Sequence, residues 1–237
     1  MKILLLNAQY GLGMNGSWRE YFRYFNRFFY CPKKVHHENS RKVRNLILRE
    51  KPDLVMLMEV NDGMVSRLMT ANQAFVSVDN KYALNGMWSK MPMFRKNSNA
   101  FIALKQTDFK KHYFKKGMKR LVYELSCEQE LSLFSAHFSI FKKTRAKQLV
   151  ELQVLIKEKK NVILCGDFNI FKGYDELKLL LADSKLQLLN KEEHKTFPTF
   201  KPKKALDLFM CSTDMKVKSF RVLKDRVSDH LPVMLEI

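Results

Sequence analysis

Hydrophobic positions along this chain gather into short continuous runs, and several of those runs stop on a polar side chain. Met1–Asn7 closes on an amide, Asp53–Glu59 on a carboxylate and Leu131–His137 on an imidazole. Asn161–Cys165 leads straight into Gly166-Asp167-Phe168-Asn169. Leu206-Asp207-Leu208-Phe209-Met210 carries an acid within an apolar run, and Ser228-Asp229-His230 immediately precedes Leu231-Pro232-Val233-Met234-Leu235. Aliphatic runs of this length predict buried strands. On an extended chain alternate residues share a face, so Asp167 and Asn169 are predicted to point the same way.

Between these runs the period lengthens. Asn39-Ser40 can cap a helix running to about Glu50, with Val43, Leu46 and Ile47 on one face and Lys51-Pro52 as its stop. Thr144 to Lys157 predicts a second helix, with Leu149, Leu152 and Ile156 at helical spacing. Strands separated by helices in both halves predict two packed sheets with helices outside. With 237 residues, no repeat and no long linker, the whole of 1–237 is expected to form one domain.

Composition narrows the partners. The chain has 43 Lys+Arg against 24 Asp+Glu, a formal charge of +19, which favours a polyanion: nucleic acid or an anionic membrane surface. No apolar stretch reaches the ~20 residues that cross a bilayer, and the N-terminus shows no signal-peptide pattern. The four cysteines lack metal-binding spacing, so zinc is not expected and a reduced, cytoplasmic setting is the default. Two segments interleave rings with cations. Lys110–Arg120 suits a groove that tracks a phosphate backbone, and Lys201-Pro202-Lys203-Lys204 lies just before Asp207. Trp18–Tyr30 holds eight aromatics and three arginines in thirteen residues. Its rings could stack on bases, lie in a lipid interface, or fill a core.

The polar run-ends resemble, in type and order, the motifs of the endonuclease/exonuclease/phosphatase superfamily, the deoxyribonuclease-like metal-dependent phosphodiesterases. The matching pieces are Leu6-Asn7-Ala8, Leu57-Met58-Glu59-Val60, Ala136-His137-Phe138, Gly166-Asp167-Phe168-Asn169, Leu206-Asp207 and Ser228-Asp229-His230-Leu231-Pro232-Val233. Met58 departs from the Gln that usually precedes the acid. The resemblance implies a four-layered α/β sandwich, two packed mixed sheets flanked by helices, with the site at one end of the sheets.

It also implies a set of roles. Glu59 would be the principal ligand of Mg²⁺ or Mn²⁺, with Asn7 nearby and Asp229 a further contact; hard oxygen donors suit such ions. His230, held by Asp207, and Asp167 are both candidates for activating the attacking water, and Asn169 would hold a phosphoryl oxygen. His137 would contact phosphate or assist the leaving group, as in the deoxyribonuclease, sphingomyelinase and deadenylase branches. Asn99, in Asn97-Ser98-Asn99-Ala100, is a candidate phosphate contact, while Arg145 and Gln148 are expected to anchor a helix. The abasic-site repair branch fits less well, since its opening Asn-Gly-Leu-Arg-like segment is absent and His137 stands where that branch has Tyr.

The expected activity is Mg²⁺-dependent hydrolysis of phosphodiesters in DNA or RNA, by a monomer without an organic cofactor. The rival is a sphingomyelinase-like or inositol-phosphate phosphodiesterase/phosphatase acting on lipid or small phosphoesters at a membrane. A third is a binding module that keeps the fold without catalysis.

Overall fold

The computed structural model describes residues 1–69, 75–82 and 97–237. Its described residues form two six-stranded sheets. The first contains β1 (Lys2–Asn7), β2 (Leu54–Val60), β3 (Phe75–Asn80), β4 (Ser98–Ala103), β11 (Ser219–Val222) and β12 (Val233–Glu236), in the order β11-β12-β1-β2-β4-β3. The second contains β5 (Asp108–Tyr113), β6 (Leu121–Cys127), β7 (Leu131–His137), β8 (Asn161–Asp167), β9 (Leu186–Leu188) and β10 (Asp207–Ser212), in the order β5-β6-β7-β8-β10-β9.

Each sheet is built around one parallel pair, and that pairing decides where the polar run-ends go. β1 and β2 run parallel, joined by α2 (Lys33–Glu50), so Asn7 and Glu59 emerge at the same end. β7 and β8 run parallel, joined by α4 (Lys142–Ile156), with His137 directly opposite Asp167. The antiparallel partner β10 starts at Asp207, also opposite Asp167.

Three apolar clusters make the layers. Ile3, Met56, Phe101, Leu133, Ile163 and Phe209 belong to the one between the sheets. The outer face of the first sheet buries Leu4, Leu6 and Val55 against Val43, Leu46 and Ile47 of α2 and Val65 of α3 (Asp62–Leu68). The outer face of the second buries Phe134, Leu164 and Leu208 against Leu149, Leu152 and Ile156 of α4 and Leu180 of α5 (Lys178–Ala182). Helix, sheet, sheet, helix is the four-layered arrangement expected, with helical faces of three apolar positions each covering a sheet.

Local details differ from the sequence reading. The first long helix starts at Lys33, after Pro32, so Asn39 and Ser40 lie inside it rather than capping it. Their side chains bond back into the helix: Asn39 Nδ2 donates to the Val35 carbonyl (3.0 Å), and Ser40 Oγ to that of His36 (2.8 Å). Lys51 does end the helix, in the left-handed region at φ 49°. The second long helix begins at Lys142, two residues before Thr144.

The Lys110–Arg120 segment is also arranged differently. β5 is an edge strand, and Phe109 turns inward to meet Phe101 at 5.2 Å between ring centroids. Phe114 is buried and Lys111 pairs with Asp79, so those rings serve the core and are not presented to a ligand. The Trp18–Tyr30 segment forms α1 (Trp18–Arg23) and a 3-10 turn over Phe25–Phe28, and neither buries a residue. Its rings therefore do not fill a core.

Candidate active site

The ends of the two parallel pairs meet in one pit. At its floor Asp167 Oδ2 lies 3.0 Å from the Asn7 amide, which donates to it, and 3.1 Å from His137 Nε2. Asp167 Oδ1 accepts from the Asn169 backbone N–H at 3.0 Å. Gly166 is what lets β8 lie this close to β7. A Cβ there would stand 1.8 Å from the Ala136 carbonyl oxygen, at φ +153°, so only glycine fits. Burial opposes the Asp167 charge, yet His137, His230 and Lys119 outweigh it and hold this carboxyl far below its ordinary range.

Glu59 reaches the pit by a strained route. The register of β2 on β4 slips between Leu57 and Val60, and Glu59 takes φ 54°, a left-handed conformation unusual for a non-glycine residue. Asn99 Oδ1 accepts from the Glu59 N–H at 3.3 Å, so this amide steadies the irregular backbone. Glu59 Oε1 is 3.1 Å from Lys81 Nζ, 3.8 Å from Lys119 Nζ and 3.9 Å from His137 Nδ1. Burial would raise its pKa, but Lys81, Lys119 and His137 bring it down to about 2.

The other wall is the Ser228-Asp229-His230 segment. Ser228 Oγ donates to the Asn7 carbonyl (2.5 Å) and accepts from the His230 N–H (3.0 Å), pinning the segment against the end of β1. His230 Nδ1 lies 2.7 Å from Asp207 Oδ2, and its ring rests on Phe197 at 4.8 Å between centroids. Burial opposes the imidazolium, but Asp207, Asp229 and Asp167 raise its pKa to about 10. Burial is likewise the main force raising Asp207. Asp229 accepts from the Tyr21 hydroxyl at 2.5 Å through Oδ2, and burial pushes its carboxyl up to about 6. Its Oδ1 and Asp207 Oδ1 are buried with no hydrogen-bond partner among the described residues.

All nine residues named from sequence thus gather at this end of the sheets, or, for Asn99, just behind it. Asn169 sits at φ 51° and spends one amide hydrogen on the Phe138 carbonyl (3.0 Å). Arg145 and Gln148 are buried anchors: Arg145 donates to the Ser139 carbonyl and pairs with Glu176, while Gln148 bonds Ser139 N–H and the Lys116 and Lys119 carbonyls.

Sequence reasoning missed four groups. Lys81, only 2% exposed, bonds Glu59 and the Tyr10 hydroxyl. Lys119 meets His137 Nε2 and has its pKa lowered to about 8, mostly by burial. Tyr21 holds Asp229. Lys119 was hidden in a basic run and Tyr21 in an aromatic one, and nothing in the pattern marks Lys81 or Tyr10. His137, squeezed by burial and by Lys119, has its pKa lowered to about 4 and is neutral near pH 7.

A pit of this composition, at the carboxyl ends of two parallel strand pairs, agrees with the match of residues 26–230 to the Endonuclease/Exonuclease/phosphatase family model. The chain belongs to this family. Its members hydrolyse phosphoesters. The fold is similar to that of an endonuclease/exonuclease/phosphatase family protein from Leptotrichia buccalis C-1013-b, at 18% identity and TM-score 0.69 over 100% of this chain and 99% of the other. It is similar to a humanized D. rerio TDP2, at 16% identity and TM-score 0.68 over 99% and 97% of the two chains. The mannosyl-6-phosphatase Bt3783 of Bacteroides thetaiotaomicron VPI-5482 also matches, at 14% identity and TM-score 0.69 over 100% and 98%. No curated protein sequence matches the chain.

Proposed function

We propose that this protein is a divalent-metal-dependent phosphodiesterase acting on nucleic acid. The observation that carries the reading is the meeting, in one buried pit, of an Asn7–Asp167–His137 cluster with an Asp207–His230 pair and the Glu59 carboxylate. The charge of +19 supports a polyanionic substrate.

The residues fit a hard cation. Glu59 and Asp229 bring carboxylate oxygens to the pit, and the orphaned Asp229 Oδ1 is a buried acceptor in need of a partner. Asn7 Oδ1, which among the described residues accepts from the Gln9 N–H at 3.1 Å, has capacity left beside them. Among the described residues no group of three or more His, Cys, Asp and Glu is arranged to hold a metal ion by itself. Mg²⁺ and Mn²⁺ keep several waters, so Glu59, Asp229 and Asn7 would supply only part of the shell. Such an ion supplies neutralisation of the phosphate and of the developing charge on the leaving oxygen.

The chain's own groups divide the remaining work. Asp167, ionised, oriented by hydrogen bonds from the Asn7 amide and the Asn169 N–H and 3.1 Å from His137 Nε2, holds the attacking water and accepts from it. His230 carries a proton on the paired imidazole, so it donates to a phosphoryl oxygen; this protonation favours Asp167 over His230 as the water's partner. His137, neutral and close to Lys119, lies where a leaving oxygen is met by a proton donor or an ammonium. Asn169 orders the loop after β8 and offers its second amide hydrogen to phosphate. Lys81 and Lys119 hold Glu59 ionised.

The test is hydrolysis of bis-p-nitrophenyl phosphate and of labelled single- and double-stranded DNA and RNA, with Mg²⁺, Mn²⁺ or EDTA. Metal-dependent cleavage of a polymer, reduced ~10²–10⁴-fold in Glu59→Gln and His230→Ala, is expected. Turnover of p-nitrophenyl phosphate without any diester would replace the reading with a phosphomonoesterase. Retained activity in both variants would refute the site.

A further inference from the structure

The Trp18–Tyr30 segment presents an unusual surface. Phe22 is 91% exposed, Trp18 88%, Tyr30 72%, Phe29 64% and Phe25 60%, all within thirteen residues. A soluble surface rarely shows so many neighbouring large rings without a partner. The segment is nonetheless held firmly. Ser17 caps α1 through the Glu20 N–H, Glu20 accepts from the Asn15 N–H at 2.6 Å, and Arg27 donates to the Leu12 carbonyl at 2.9 Å. Most important, Tyr21 donates to Asp229, one wall of the catalytic pit.

From that tether the rings follow one another outward. Tyr21 and Phe28 lie 6.3 Å apart between centroids, Phe28 and Phe25 6.1 Å, and Phe25 and Phe29 5.5 Å. This is a continuous aromatic path whose inner end touches the site and whose outer end is in solvent. Cations belong to the same segment. Arg27 lies over the Tyr24 ring at 3.8 Å and Arg23 at 5.5 Å, and Arg19 is exposed beside Trp18. The Phe200 N–H donates to the Asn15 carbonyl at 3.2 Å, which ties the loop carrying the exposed Lys201 and Lys203 to the chain just before α1.

We infer that this path is a stacking platform for unpaired nucleotides, holding a single-stranded stretch of the substrate that leads into the pit. The inner end of the segment separates a lipid from a polymer as its occupant. Tyr21 ties it to Asp229, so whatever the rings hold lies next to the phosphoester site, and α1, at six residues, is too short to offer the broad apolar face of a helix lying in a lipid interface. Rings that accept base faces and arginines of the same segment that accept phosphates suit a polymer that repeats base and phosphate. A duplex keeps its bases stacked inside and cannot use the rings, so the platform discriminates by strandedness rather than by sequence.

The inference rests on the nucleic-acid reading above, and the two are tested separately. Cleavage with metal tests the pit; binding in EDTA tests the platform. Fluorescence anisotropy would compare a labelled oligonucleotide of about 12 nucleotides with its duplex, on wild type and on the triple variant Phe22→Ser, Phe25→Ser, Phe29→Ser. These side chains are exposed, so an unchanged circular dichroism spectrum and melt are expected and identify a folded variant. The expected result is single-strand binding weakened tenfold or more, with duplex binding changed by less than about twofold. A second variant, Arg19→Gln with Arg23→Gln, should flatten the salt dependence of single-strand binding. Equal loss on both forms, or no loss, would overturn the platform. So would loss of binding to mixed phosphatidylcholine/phosphatidylserine vesicles with single-strand affinity retained, which would assign the rings to lipid.

Discussion

Replacing Asp229 by Asn should make the resting protein more stable while removing its activity. Asp229 is buried, with Oδ2 bonded to Tyr21 and Oδ1 unpartnered, and burial raises its pKa from 3.8 to about 6. A carboxyl whose folded pKa is raised contributes stability as the neutral acid. That contribution is complete below about pH 4 and is lost as pH rises through about 6. Above both values the shift of about two units corresponds to at most ~3 kcal/mol of destabilisation. Asn has the same shape, carries no charge at any pH and keeps an oxygen that accepts from Tyr21. In EDTA near pH 8, Asp229→Asn should therefore gain up to ~3 kcal/mol in urea unfolding at unchanged m-value, and the gain should vanish near pH 4. Adding Mg²⁺ should close most of this gap, because wild type gains ~2.7 kcal/mol at a hundredfold excess over Kd while the variant gains little. A variant less stable than wild type at pH 8 in EDTA would refute the electrostatic reasoning. Equal Mg²⁺ stabilisation of both proteins would remove Asp229 from the ligand set.

Three further expectations follow from the same geometry. Gly166→Ala puts a Cβ into the Ala136 carbonyl, so the β7–β8 pair must open, and a loss of ~3 kcal/mol or more in urea unfolding is expected. Lys81→Met leaves Glu59 without its nearest cation in a buried setting; a loss of ~3–5 kcal/mol near pH 7, easing as Glu59 protonates at lower pH, is expected from pH-dependent melts. Asp207→Asn removes the main stabiliser of the His230 imidazolium. In NMR titration in EDTA the wild-type ring should stay charged until about pH 10, and the variant's should lose its proton near the ordinary histidine range.

Much of the fold was legible because its strands are continuous apolar runs, and a run of that kind announces both its length and its buried character. The polar residue closing each run told at which end polar groups would gather, since an amide, acid or imidazole at the edge of a core has to find partners. The helix boundaries were less legible. Asn39 and Ser40 look like caps in sequence, but inside a helix they satisfy their polar atoms on carbonyls one turn back, and sequence does not reveal which option is taken. Lys81 and Lys119 were invisible for another reason. A lysine in a chain of 43 basic residues carries no signal, and only the folded topology brings these two beside Glu59. The strained φ of Glu59 is equally unmarked, since it comes from a register slip between two strands.

Those buried cations resolve a conflict within the proposed substrate class. Glu59, Asp167, Asp207 and Asp229 put four carboxyl groups in one pit, and a phosphodiester entering it meets repulsion that burial makes stronger than in water. Lys81, Lys119 and the His230 imidazolium return most of that charge from within, at 3.1 Å, 3.8 Å and 2.7 Å from carboxylate oxygens. The pit itself is thus close to neutral, and the attraction expressed by the net +19 is left to the surface, where Arg19, Arg23, Lys201 and Lys203 are exposed. Long-range capture and local chemistry are then separable. Neutralising exposed cations should weaken capture and its salt dependence with little effect on turnover of a small diester. Neutralising Lys81 or Lys119 should do the reverse, because these ammonium groups set the charge state of Glu59 and His137 and contribute little to the outer field.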